Sequence, residues 1–129
     1  MMKNALSLVP RVLLGVMFAL FGFNGFVPFI PTPPTIPPAA GAFFGAMTQS
    51  HFSYLVFGVQ LICGVLLLID RYVLLALFAL AAVIVNIFAF HITMWPAAIV
   101  PMPILALVLW LLTAWPLRDR FAPLFKAKA

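Results

Sequence analysis

A chain of 129 residues that is 67% hydrophobic and only 7% charged, with a mean hydropathy of +1.26, stands far from soluble domains, which are about half apolar and about a quarter charged. That balance excludes a soluble enzyme, and it is the inverse of the low hydrophobicity and high net charge that disorder requires. At roughly 20 apolar residues per spanning helix the length allows four spans in a single membrane domain, residues 1–129, with no soluble second domain.

The first apolar run extends from about Val12 to Phe29 and follows Lys3, Pro10 and Arg11. It is longer than a signal peptide's apolar core and no A-x-A site directly follows it, so it is expected to remain as a helix. In PTPPTIPPAA, residues 31–40, five prolines remove backbone donors and enforce an extended extramembrane path. The next stretch, GAFFGAMTQS at 41–50, is too short to span and suits a re-entrant or interfacial helix; its GAFFG matches small-xxx-small, or is simply two loop glycines. The second span is expected at about 52–69 and the third at about 72–95, joined by little more than Asp70 and Arg71. So tight a hairpin makes them antiparallel neighbours, with Asp70 placed to cap the third. The fourth span, about 98–117, carries Pro101 and Pro103 in its first turns and should enter irregularly. A basic tail, 118–129, suits anionic headgroups.

All seven Lys and Arg residues then fall on one side: Lys3 and Arg11 before the first span, Arg71 in the hairpin, and Arg118, Arg120, Lys126 and Lys128 after the fourth. The positive-inside rule makes both termini cytoplasmic in a bacterial inner membrane. The formal charge of +5 is thus a topology signal, and nucleic acid is not an expected partner. Cys63, the single cysteine, excludes an intrachain disulfide and any C-x-x-C motif.

Within the spans each polar residue must find a partner or face water. At 100° per residue, Arg11, Gly15, Phe18, Gly22, Gly25 and Phe29 share one stripe, a close-packed seam with Arg11 snorkelling at the cytoplasmic end. Ser53, Phe57, Gln60, Gly64 and Leu67 share a face of the second helix, and Ala79, Ala82, Asn86, Phe90 and Thr93 one of the third. Gln60 and Asn86 lie at matching depth, roughly 13 Å below the outer surface, as an interhelical amide pair, a ligand site, or both. Asn24 and His91 sit roughly 140° off these stripes. His91 has either a local hydrogen bond or a proton or quinone role. These four are the candidate binding residues, in an outer-half pocket roofed by the proline loop and walled by phenylalanines 43, 44, 52 and 57. The spans hold no mid-membrane carboxylate, so no metal site is expected.

RVLLGVMFALFGFNGF, AGAFFGAM, GVQLICGVLLLIDRYVLLAL, VNIFAFH and LALVLWLLTAW, in this order and spacing, resemble the DoxX family of small bacterial membrane proteins across nearly the whole chain. The resemblance implies an all-α fold of four transmembrane helices in an antiparallel bundle. It also implies a subunit or accessory of a membrane redox, quinone-linked system, with quinone as cofactor and a redox subunit as partner. Lacking a cysteine pair, this chain is not suited to direct thiol exchange. The alternative is a non-catalytic assembly or lipid-packing protein without cofactor. Besides the lipid bilayer, a second copy of the chain is a candidate partner, and whether the protein is an enzyme is left open.

Overall fold

The computed structural model describes residues 2–128, and no strand occurs among them. In chain order the helices are α1 (Met2–Asn24), α2 (Pro38–Gln49), α3 (Phe52–Leu68), α4 (Val73–Met94), α5 (Met102–Ala114) and the short α6 (Arg118–Phe121), with 3-10 turns before and after α5 and after α6. The fold is all-α and polytopic. Residues Leu6–Asn24, Val73–Met94 and the rod Pro96–Phe125 are each long and apolar enough to cross a membrane, and α2 with α3 forms a pair bent by 90° that supplies up to a fourth crossing. α1 packs mainly on α3 and α5, and α4 on the same two, so the four long elements close into a ring. Its core is aliphatic, with Leu14, Leu67, Leu77 and Leu80 fully enclosed.

The α1–α3 seam follows from glycine. Gly15, Phe18 and Gly22 of α1 are buried, and a methyl group added at Gly22 would lie 2.5 Å from the Leu61 amide nitrogen and 2.8 Å from the Phe57 carbonyl. At Gly64 the same group would meet the Gly15 carbonyl at 2.8 Å and the Ala19 backbone. Backbone therefore lies against backbone, and in lipid such packing replaces the absent hydrophobic drive between helices. The stripe inferred from the sequence is this seam as far as Gly25, where it gives way to the exposed Phe29.

Other expectations need correction. α1 starts ten residues before Val12 and carries Pro10 inside it. The last proline of the proline stretch, Pro38, opens α2, since a missing N–H is harmless in a first turn. The glycines of GAFFG make no close approach: a methyl group at Gly45 would meet nothing within 4 Å. The entry to the last rod is irregular as expected, with a 3-10 turn at Pro96–Ile99 before α5 begins at Met102.

The largest departure is the rotation of α4. It buries Ala76, Leu77, Leu80 and Ile84, while Ala82, Asn86, Ala89 and Thr93 are exposed. Leu77 and Asn86 are nine residues apart, roughly 180° around a helix. Bulky leucines fill the space between α3 and α5, and the small and polar stripe is left outside.

Candidate functional site

The four candidate binding residues do not converge. Asn24 Oδ1 accepts hydrogen bonds from the backbone N–H groups of Phe29 (2.8 Å) and Ile30 (2.9 Å), fastening the chain as it leaves α1. His91 Nδ1 lies 2.7 Å from the Ile87 carbonyl of its own helix; a carbonyl only accepts, so Nδ1 carries the proton. Asn86 Nδ2 donates to the Ala82 carbonyl, also of its own helix, at 2.9 Å. Only Gln60 lies inside the bundle, buried beside Cys63 and Gly64 on α3. The expected Gln60–Asn86 pair is absent from the hydrogen bonds among the described residues, because the rotation of α4 carries Asn86 outward.

The anticipated aromatic wall packs on itself. Phe43 and Phe44 of α2 meet Phe90 of α4 with ring centroids 5.4 and 5.1 Å apart, and Phe90 meets the His91 ring edge-on at 5.0 Å. Phe57 lies against Gly25, and Phe52 is exposed. α2 thus lies across the loop end of the bundle as an apolar plate. His51, at the corner between α2 and α3, is in the left-handed region (φ 64°) and stacks on Tyr54 at 5.5 Å.

The opposite end, where the basic residues gather, is built differently. α3 ends with Asp70 in the left-handed region (φ 57°) and the Arg71 amide donating back to the Leu66 carbonyl at 3.0 Å, the six-to-one bond of a Schellman cap. The neighbouring Leu67 carbonyl accepts from the Arg11 guanidinium of α1. A cation on the last carbonyls of a helix also meets the negative end of its dipole. Arg11 Nε lies 3.9 Å from Asp70 Oδ1, the arginine side chain 15% exposed and the aspartate 71%. Asp70 therefore faces Arg11 and does not cap α4, whose N-cap is Tyr72, without a side-chain cap bond.

Around this joint opens a hollow of about 790 Å³, within the ~300–1,000 Å³ of typical ligand sites. Arg11, Asp70, Tyr72, Thr113 and Arg120 contribute to its wall. A smaller groove of about 300 Å³ adjoins it, lined by Leu74, Leu75, Phe78, Phe121 and Leu124 and sharing Arg120. Neither is lined by Asn24, Gln60, Asn86 or His91. Because Ser7, Asp70, Tyr72 and Leu117 meet in one hollow, the start of α1, the α3–α4 turn and the end of the last rod share one face of the bundle.

Three residues here, Arg120, Phe121 and Trp110, are not singled out by the sequence pattern. Arg120 falls in the stretch expected as a surface tail, although Phe121 packs on the core and lies 6.4 Å from the Trp110 ring, folding that tail back. Trp110 Nε1 donates to the Leu77 carbonyl across the α4–α5 interface at 2.8 Å. An aromatic residue one turn beyond the last span, as Phe121 is, was the available signal. Comparison with protein-family models, with curated proteins and with solved structures finds no match.

Proposed function

We propose that the chain is a DoxX-like accessory protein of the bacterial inner membrane, acting as an assembly element that docks a partner helix on the exposed face of α4. The observation that carries this reading is Asn86. Its carboxamide has two N–H donors and an acceptor oxygen, and one donor goes to Ala82 of its own helix. The remaining capacity lies on the exposed side of α4, flanked by apolar side chains, with Phe78 58% and Val85 68% exposed. Unmet polar groups are costly in hydrocarbon. Ala82 and Ala89, exposed one turn to either side, let a second backbone come close, and an interhelical amide bond adds about 0.6 kcal/mol, with about 1.7 as an upper value. Thr93 makes no such demand, since its hydroxyl donates to the Ala89 carbonyl at 2.7 Å.

A photo-crosslinking amino acid at Ala89, compared with one at Ile62 of α3, which is also exposed, tests this reading in cells. Protein adducts at 89 that vanish in Asn86→Ala are the expected result. An adduct of twice the chain's mass means a second copy, and another mass means a different subunit. Lipid adducts alone at both positions would overturn the reading.

The orientation belongs to the same proposal: the face carrying Arg11, Arg71 and Arg120 lies in the cytoplasm, by the positive-inside rule. Single cysteines at Thr35 and Lys128 in a Cys63→Ser background, labelled with an impermeant reagent in intact cells, should react at Thr35 only. A quinone-linked redox role is the second reading, favoured by Gln60, the one candidate amide inside the bundle. Quinone in lipid extracts of the gently purified chain, lost in Gln60→Leu, would select it.

A further inference from the structure

We infer that the hollow at the basic end and its adjoining groove together bind one phospholipid of net negative charge, its phosphate held by Arg11 and Arg120 and an acyl chain laid along α4. The charge count is the first argument. Arg11 and Arg120 line the hollow against the single carboxylate of Asp70, leaving one positive charge for one phosphate. Asp70 does not cancel Arg11 outright, because it stands 3.9 Å away and is itself mostly in solvent. Arg11 is held in place by the Leu67 carbonyl, which leaves further N–H donors of its five for an oxyanion. Guanidinium groups meet phosphate oxygens with paired, charge-assisted hydrogen bonds. Thr113 lines the same hollow, but its hydroxyl proton is given to the Leu109 carbonyl at 2.7 Å. Ser7 adds a hydroxyl at the rim.

The second argument is the junction of polar and apolar surface. Leu74, Leu75 and Arg120 belong to both concavities, so the charged hollow and the apolar groove are neighbours across shared walls. Phe78, Phe121 and Leu124 complete the groove wall with apolar surface. A free phosphate ion would use the hollow and leave the groove empty, and a neutral hydrocarbon would do the reverse. An amphiphile with an anionic head occupies both. Not every arginine at this end is available: Arg118 donates to the Trp115 carbonyl at 2.9 Å and lies over the Trp115 ring at 4.5 Å. It does not line the hollow, which makes it the natural control for charge alone.

The test is native mass spectrometry of the full chain in detergent, titrated with phosphatidylglycerol and in parallel with phosphatidylcholine. One phosphatidylglycerol per chain should be retained, and phosphatidylcholine should not. Losing one charge-assisted contact in Arg120→Gln should weaken retention about tenfold, while Arg118→Gln, with the same change in net charge, should leave it intact. Phe78→Ser, at an exposed position of the groove wall, should weaken it through the acyl chain, and Arg11→Lys, which keeps the charge without the planar fork, should weaken it less than Arg120→Gln. Glycerol phosphate or inorganic phosphate competing as well as the lipid would overturn the proposal in favour of an ion site. Equal losses in Arg118→Gln and Arg120→Gln, or equal retention of both lipids, would overturn it in favour of a diffuse basic surface.

Discussion

The two ends of the bundle handle their polar groups in opposite ways. At the loop end Asn24 and His91 each bond to backbone within six residues of themselves, and phenylalanines from α2 and α4 close over the bundle. At the basic end Arg11 reaches 56 residues along the chain to Leu67, and a hollow opens beside it. Three of the four candidate ligands, Asn24, Asn86 and His91, bond to local backbone, whereas an arginine expected as a membrane anchor joins two helices at a cavity. In a membrane protein, counting polar residues by depth locates the demand for partners. Only the fold says whether that demand is met nearby.

The seam shared by both ends is the strongest place to break this contrast. Gly64→Val would push β-carbon atoms into the Gly15 carbonyl and Ala19 backbone, neither of which is the flexible end of a side chain. A loss of about 3 kcal/mol is expected, at the upper range for overpacking, measured as a fall in the unfolding midpoint in detergent or by steric trapping in bilayers. Gly22→Val, against Leu61 and Phe57 backbone nearer the loop end, should be comparably harmful. A Gly64 variant of normal stability would mean that α1 and α3 do not touch there.

Arg11→Met tests the basic end by itself. It removes a charged donor from the Leu67 carbonyl while keeping an apolar stem of similar reach, and about 2 kcal/mol of stability should go, as for a hydrogen bond to a charged group. Arg11→Lys keeps the charge without the planar fork and should fall between. Asn24→Ala at the loop end should cost less, about 1 kcal/mol, since the amides of Phe29 and Ile30 it serves are in exposed surroundings. Amide hydrogen exchange should speed at residues 29 and 30 and not at α3 or α4. If Asn24→Ala costs more than Arg11→Met, the contrast between the ends is reversed.

Much of this architecture is legible in the sequence, for identifiable reasons. The number of apolar runs, the short helix after the proline stretch and the Gly15–Phe18–Gly22 seam follow from length and a 3.6-residue period. The buried set Ser53, Gln60, Gly64 and Leu67 on α3 follows in the same way. The face of α4 does not, because bulky apolar residues occur on every side of it. There the choice lies between packing leucines inward and packing small or polar residues inward, and neighbouring volume decides it. The hollow at the basic end was hidden for another reason. It takes three residues from the first half of α1, a turn between α3 and α4, and a tail that folds back through Phe121, and no periodicity within one element announces such a meeting.

The smallest expected effect is also the sharpest test of the loop end. His91 gives its Nδ1 proton to the Ile87 carbonyl, an oxygen one turn back that the helix already engages, so the imidazole adds a bond without rescuing an orphaned group. Its ring faces Phe90 edge-on, a contact that another aromatic ring can make. His91→Phe should therefore change stability by no more than about 0.5 kcal/mol and leave α2 seated on Phe90. Cysteine accessibility at Gly45, on the plate and in open surroundings, should be unaltered. If the variant instead loosened α2 or abolished a quinone-linked activity, the free Nε2 would be holding a ligand at the loop end. The polar groups there would then be shared between backbone and ligand, and the difference between the two ends would be one of degree.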